Sequence, residues 1–432
     1  MSAAPILELA PEDAPADPTV RLQTFLEWSA ATVVERVDHE AVSDAERIDR
    51  IAVIERLQAS LEAMKAIEIV AFARSQAARQ VELGTDPRQA ERGIAEQIAL
   101  AARVSPAEGS RRLRTARDLV MDLPHTLDLL ANGEIGAWKT RLMVEQFSHL
   151  DRPTRTDLDA ELARRHPQTM GCGQAAAMAK RLAYEADPEA AMARCRKARK
   201  DRRVTLRPAP DTMSLLSGLL PVEQGVACLA ALQAEATARK ASGDQRSKNQ
   251  IMADALVARI TGRETAEDAG FEVGIVLPLG ALIDPDDPTP ADIPGYGPIP
   301  AALARELIER ADARVWWRRL FTRPTHGGGR LIVDLDERRR RFTGWLAELI
   351  RWRDVTCRDP FCDAPIRHLD HIHRHSEGGP TTGPNGRGVC ERGNYVREMP
   401  GWTVTLLDPD SHTVITTTPT GHSYVSRPPE PP

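Results

Sequence analysis

The chain has 432 residues and a mass of 47.5 kDa, which suits two or three domains. With 42% hydrophobic and 28% charged residues it can bury real cores, and disorder throughout is excluded. No run approaches the roughly 18 apolar residues of a membrane span, and no basic residue precedes Arg21. A secretory leader is therefore not expected, and the expected compartment is the cytoplasm. Charge is unevenly spread: residues 1–310 carry a net −8, residues 311–400 a net +5, and the tail −2. An acidic body joined to an arginine-rich segment points to a polyanion partner at that segment, set against the plainer reading of a solvated arginine surface.

The first twenty residues, rich in Pro, Asp and Ala, are expected to be mobile. Helical patterning then runs to about residue 185. Ser43-Asp44-Ala45-Glu46 is a capping box, and Ile51, Ile54, Leu57, Leu61 and Met64 follow at steps of three and four. This predicts one long helix reaching about Gln80, with that stripe buried. A second start at Ser105-Pro106-Ala107-Glu108 follows the helical run 96–104, and Arg111, Arg112 and Arg114 lie on the second helix. Such a pair resembles a DNA-reading helix-turn-helix, but an ordinary helical hairpin is the commoner pattern.

Farther along, Arg203 to Arg207 and Met213 to Leu220 read as paired strands across a Pro-Ala-Pro-Asp turn. An Ala-rich helix is expected from Val222 to about Arg239, and a β-rich run from Val273 to Leu277. Ile283 to Pro300 holds six prolines and reads as a loop, with a helix from Ala301 to Arg310 after it. The run Gly327-Gly328-Gly329 is not a phosphate-binding loop, because no Gly-Lys-Ser/Thr follows.

Cys172, Cys195 and Cys228 are scattered through helical sequence and read as ordinary small apolar residues. Cys357, Cys362 and Cys390 instead fall within 34 residues, among four of the eleven histidines: His368, His371, His373 and His375. Under reducing conditions clustered cysteines point to a metal, and thiolates are preferred zinc ligands. Within that clamp stand Asp370-His371 and Asn385, and Asn394 follows it. One carboxylate, one imidazole and amide oxygens suit a hard divalent cation beside a general base.

The order Cys357-x4-Cys362, Asp370-His371, Gly378-Gly379-Pro380-Thr381, Asn385, Cys390 and Asn394 resembles the HNH endonuclease family with its ββα-metal motif. The lead Arg353-Asp354-x-Thr356-Cys357, the core Ile366-Arg367-His368-x-Asp370-His371, the later Pro400-Gly401-Trp402 and the proline-rich stretch at 294–300 are similar to one subgroup. Its members are actinobacterial HNH proteins with a large N-terminal domain of unassigned function. The resemblance implies a multidomain chain, with a mainly α N-terminal module carrying a few strands at 21–345 and a small α+β HNH nuclease module at 346–402. A β-rich and then Pro-rich tail would occupy 403–432.

The resemblance further implies metal-dependent hydrolysis of DNA phosphodiester bonds. Asp370 and Asn394 would hold a catalytic Mg²⁺ or Mn²⁺, and His371 would be the general base. Asn385 would fix the loop that aims His371. Cys357, Cys362 and Cys390 would hold a structural Zn²⁺, with Gly393 standing where relatives carry the fourth cysteine. By charge, Arg353, Arg367, Arg374 and Arg387 are expected phosphate contacts. Rival expectations are a DNA-binding protein whose nuclease module is impaired at Gly393, and a helical interaction protein for which the module is a scaffold.

Overall fold

A computed structural model describes residues 43–262, 275–293, 296–309 and 342–429, with short pieces at 20, 22–27, 29, 322–324 and 330–332. The expectations for residues 1–19, for the start of the Val273 run and for the triple glycine at 327–329 lie outside the described residues. Among the described residues no helix is long and apolar enough to cross a membrane. The fold is α-rich and multidomain, with small antiparallel sheets.

Helix α1, Asp44–Glu82, starts where the capping box places it: Ser43 accepts from the Glu46 N–H, and the Glu46 carboxylate accepts from the Ser43 N–H. Its buried face differs from the expected one. Ala59, Ala63, Ala66, Val70 and Ala73 are buried, whereas Ile51, Ile54, Leu61 and Met64 are exposed and residues 44–58 include no buried side chain. The reason is close approach. Small side chains let helix backbones pack tightly, so the alanine stripe faces the neighbouring helices and the bulky stripe does not.

Around α1 are α2 (Ile94–Ala101), α3 (Pro106–Asp122), α4 (Pro124–Ala131), α5 (Ala137–Phe147), α6 (Arg152–Arg164) and α7 (Cys172–Ala186). One core joins Ala63 and Val70 of α1 to Leu119, Leu130, Met143, Phe147, Leu162 and Ala179. Ser105 caps α3, accepting from the Glu108 N–H. The α2–α3 pair is a close-packed helical hairpin: every residue of α2 from Ile94 to Leu100 is buried, and Gly109 of α3 sits against the Ala95 carbonyl and Ala99. Arg111 and Arg112 are both paired with Glu108.

Helix α8 (Pro188–Lys200) leads to the antiparallel pair β1 (Arg203–Pro208) and β2 (Ser214–Leu219), then to α9 (Val222–Ala241) and α10 (Lys248–Thr261). The proline-rich segment after α11 (Leu279–Ile283) is more ordered than a loop. It contains the hairpin β3 (Ala291–Ile293) and β4 (Gly297–Ile299), flanked by a bridge from Val276 to Asp292. Pro298 is tolerated because it lies on an outer strand, where a missing N–H need not break a ladder. Helix α12 (Ala301–Glu309) follows, then the short pair β5 (Thr322–Pro324) and β6 (Arg330–Ile332).

The C-terminal module opens with α13 (Gly344–Asp354), continues through the antiparallel pair β7 (His368–His371) and β8 (Gly386–Val389), and adds α14 (Glu391–Val396). Its apolar cluster is small: Phe342, Leu346, Ala347, Leu349 and Ile350 against Leu369. The three-stranded tail β9 (Thr403–Asp408), β10 (Thr413–Thr417) and β11 (Ser423–Ser426) pairs in the order β11-β10-β9. The helical hairpin packs on this module. Arg392 reaches the Glu96 carboxylate and the Pro106 carbonyl, and Gly93 lies against the Trp402 indole.

Candidate metal centre and the hairpin beside it

Cys357 and Cys362 come from the turn after α13, and Cys390 caps the N-terminus of α14. All three are buried, and their sulfur atoms lie within 4.8 Å of one another. Cys362 Sγ and Cys390 Sγ are 3.9 Å apart. Two thiolates about 2.3 Å from a tetrahedral zinc ion stand about 3.8 Å apart, so these sulfurs fit one such ion. The Gly393 N–H donates to Cys390 Sγ at 3.3 Å. Contacts with Cys357 and Cys362, together with the Gly393 and Arg392 N–H groups, hold the Cys390 thiol far below its ordinary range. Cys357 is pushed up by the same sulfur contacts and by burial. Three close cysteines can hold a metal ion.

Two of the four arginines expected to touch phosphate cannot do so, because they are internal. Arg353 is 4% exposed and Arg387 is 0% exposed. Arg353 binds the Asp354 carboxylate through Nε (2.7 Å) and Nη2 (3.0 Å), and its Nη1 and Nη2 donate to the Gly383 and Gly386 carbonyls. Asp354 also accepts from Arg358 and from the Gly388 N–H at 2.7 Å, so it ties the end of α13 to strand β8. Burial alone would raise the Asp354 pKa. The Arg353 and Arg358 guanidinium groups more than offset it and hold the carboxyl below its ordinary range. Arg358 continues to the tail, donating to His412 Nδ1 and to the His412 and Ser426 carbonyls. His412 Nε2 donates to the Pro384 carbonyl, and burial depresses the imidazole to about 3. Part of the net positive charge of 311–400 is therefore spent inside the module.

Arg387 bridges two carboxylates. Its Nη1 meets Asp359 Oδ1 at 2.9 Å, and its Nε and Nη2 meet Asp370 Oδ2 at 3.2 Å. The pairing follows from register, since Asp370 and Arg387 are directly opposed across the β7–β8 ladder. Arg397, one residue beyond α14 and 5% exposed, also binds Asp370 Oδ2 and the His371 and Ile372 carbonyls. Of the remaining expected phosphate contacts, Arg374 pairs with Glu398 and Glu377, and Arg367 is exposed.

The β7–β8 connection brings His371 and Asn385 into one unit. Asn385 Oδ1 accepts from the His373 N–H at 2.8 Å, and its Nδ2 donates to the His373 (3.0 Å) and Pro380 (2.7 Å) carbonyls. One side chain thus ties both ends of the loop. His371 Nε2 lies 2.9 Å from Thr381 Oγ1, and its ring packs 4.5 Å from Phe342 and 5.5 Å from His375. His373 and His375 are exposed; His368 is half-buried, 6.4 Å from Tyr395. Asn394 sits half-buried on α14, one turn before Arg397.

The oxygen donors at Asp370 and Asn394 fit a hard divalent cation by type. The two guanidinium groups set the terms: a cation at Asp370 shares that carboxylate with Arg387 and Arg397.

Sequence reasoning missed Asp354, Arg358, Asp359, Thr381, Arg397 and His412 as working residues. Asp354 and Thr381 lay inside quoted motifs, and Asp359 lay between two of the cysteines. Nothing local marked His412, because its ring partners Pro384 and Arg358 are 28 and 54 residues away.

The family described as "Domain of unknown function (DUF222)" matches residues 51–354, which spans the helical domain and ends at the last residue of α13. Among curated relatives, the uncharacterized protein Rv3776 of Mycobacterium tuberculosis is 32% identical over 189 residues, 42% of this chain and 34% of its own length. The uncharacterized protein Rv2100 of Mycobacterium tuberculosis is 35% identical over 152 residues, 34% of this chain and 25% of its own length. The matched regions thus span 34% and 25% of those relatives' lengths. No solved structure matches the chain.

Proposed function

This chain belongs to the DUF222 family, and from that premise we propose that its C-terminal module is a metal-dependent DNA phosphodiesterase of the HNH endonuclease kind. The observation that carries the reading is the single unit formed by an antiparallel strand pair, a following short helix, and an Asn-tied loop that presents His371. In this reading His371, whose Nε2 lies 2.9 Å from Thr381 Oγ1, is the general base toward a water molecule. Asn385 holds the loop so that the imidazole keeps this aim. The imidazole takes the water proton as the oxygen attacks phosphorus, and the 3′ oxygen leaves and takes a proton from solvent, giving a 5′ phosphate and a 3′ hydroxyl. Mg²⁺ or Mn²⁺, held by Asp370 and Asn394, would stabilise the charge that develops on the phosphate and on the leaving oxygen. Cys357, Cys362 and Cys390 would hold a structural Zn²⁺ that fixes α14 against the strands. Exposed Arg367 is the phosphate contact of choice among the four expected.

A second reading rests on one specific observation. Arg387 and Arg397 already balance the Asp370 charge, which suits a module that binds DNA without cutting it. Nicking of supercoiled plasmid by the purified chain with Mg²⁺, Mn²⁺ or EDTA separates the two. The nuclease reading expects metal-dependent nicking, and it expects His371→Ala to lower the rate by about 10²–10⁴ while binding persists. Equal nicking by wild type and His371→Ala would remove His371 as the base. Binding with no cutting in any metal would select the second reading.

A further inference from the structure

With Arg353 and Arg387 internal and Arg374 paired with Glu398, the module keeps few of its expected phosphate contacts. Exposed positive charge is dense elsewhere, at a place in the helical domain that the net −8 of residues 1–310 conceals. From Arg194 to Arg207 the chain carries eight basic residues and one acid, Asp201, and all eight are exposed. Arg199 pairs with Glu223, and Arg194 meets the His149 ring. Arg202 and Arg203 donate to the Arg199 and Asp201 carbonyls of their own turn. Arg196, Lys197, Lys200 and Arg207 have no hydrogen-bond or ion-pair partner among the described residues.

The buried Ala191 fixes how α8 is turned. At 3.6 residues per turn, Arg196, Lys200 and Lys197 follow it at about 140°, 180° and 240° round the axis, so three free cations share the face turned away from the domain. Cations in the last turn also answer the helix dipole, but that accounts for neither Arg196 nor the strand that follows. Two residues join α8 to β1, which keeps Lys200 and Arg203 within about 11 Å. Side chains alternate along β1, so Arg203, Thr205 and Arg207 share one face, with Ser217 opposite Thr205.

We propose that this face of α8 and the arginine face of β1 form a docking surface for the phosphate backbone of duplex DNA, outside the C-terminal module. The proposal rests on DNA being the partner of the module, which both readings of its function share. Residues 187–220 contain no Phe, Tyr or Trp. Surfaces that hold single strands stack bases on such rings, so this one suits an intact duplex gripped by charge. A lipid surface would call for an apolar stripe on the same helix, and Met192 is the one large apolar side chain of α8. The helical domain then supplies the grip and the module the chemistry.

The test is fluorescence anisotropy of a short labelled duplex with the full chain in EDTA, between about 50 and 200 mM salt. One variant combines Arg196→Gln, Lys197→Gln, Lys200→Gln and Arg207→Gln; glutamine matches Lys and Arg in helix propensity, and circular dichroism checks the fold. The control combines Arg50→Gln, Arg79→Gln, Arg88→Gln and Arg92→Gln, which removes the same charge from exposed positions on α1 and the turn after it. Each phosphate contact contributes about 0.9 to the slope of log K against log salt. The first variant should therefore flatten the slope by about 3–4 and bind at least about tenfold more weakly. The control should stay within one unit of the wild-type slope.

A wild-type slope and affinity in the first variant, or an equal loss in the control, would overturn the assignment. So would charge-dependent binding to phosphatidylserine vesicles with none to the duplex. If wild type binds no duplex at low salt, the DNA reading fails and the surface falls with it. Patch-dependent binding without nicking in any metal keeps the surface and removes only the nuclease reading.

Discussion

The helical domain and the C-terminal module are held together by different physics. In the helical domain the core is broad and apolar, running from Ala59 through Leu119, Met143 and Phe147 to Ala183. Its buried charges include a seam, where Arg155 binds Asp118 and Asp122 and where Asp159 accepts from the first N–H groups of α4, and Glu96, which meets Arg392 of the module. In the module the apolar cluster numbers five residues plus Leu369. Guanidinium–carboxylate contacts do the joining there: Arg353 and Arg358 on Asp354, Arg387 on Asp359 and Asp370, Arg397 on Asp370. A module this small cannot bury enough apolar surface, and charge networks and a metal clamp are the available staples. The difference teaches where each part is fragile: the helical domain to volume, the module to charge, pH and, on the proposed zinc site, chelation.

The largest break should come at Asp354. Asp354→Ala leaves Arg353 and Arg358 buried without their carboxylate, and losing one partner of a buried pair costs about 3–5 kcal/mol. Thermal melts followed at the Trp402 region of the module should show that loss. A loss under 1 kcal/mol would mean that the network does not hold the module together.

The matching break in the helical domain is steric. A Cβ at residue 109 would lie 2.3 Å from the Ala95 carbonyl and 2.6 Å from the Ala99 Cβ, so α2 and α3 must part. Overpacking of this kind costs about 1–3 kcal/mol, more than the roughly 1 kcal/mol by which alanine outranks glycine in a helix. Gly109→Ala should therefore lower the helical melt and leave zinc content unchanged. A more stable variant would show that the hairpin is looser than its geometry.

Smaller and more specific is the effect of acid. Folded His412 titrates at about 3, against about 6.5 in an unfolded chain. Below about pH 6.5 the unfolded chain takes a proton that the folded module refuses, so stability falls as pH drops toward 3. The slope is about 1.4 kcal/mol per pH unit once well below 6.5. Asp354, depressed when folded, adds a loss in the same direction as pH falls through the carboxylate range. Denaturation at pH 7, 6 and 5 should show a flatter slope for His412→Gln than for wild type, and equal slopes would remove His412 as the cause.

Much of this was readable in the residues. The Ser43 capping box starts α1, the strands at 203 and 214 pair as expected, and the three cysteines that the spacing singled out are the three that meet. What stayed hidden depended on partners distant in sequence. The alanine face of α1 is buried only because other helices approach it closely, which the bulky stripe at Ile51 and Ile54 obscured. Arg353 and Arg387 look like phosphate contacts by charge alone. Their burial is decided by Asp354 and by the register that sets Arg387 opposite Asp370. Gly393 reads as a missing ligand, and only the fold shows that a side chain there would collide with the Asp359 carboxylate.

The central claim, that the module depends on its charges and on the proposed metal clamp while the helical domain depends on apolar packing, is tested most directly by calorimetry of the full chain with and without a zinc chelator. The account predicts two transitions, with chelation lowering the one assigned to the module and leaving the helical one in place. The assignment is made by Gly109→Ala, which should move only the helical transition. A profile unchanged by chelator, or a helical transition that falls with the module by the same amount, would contradict it.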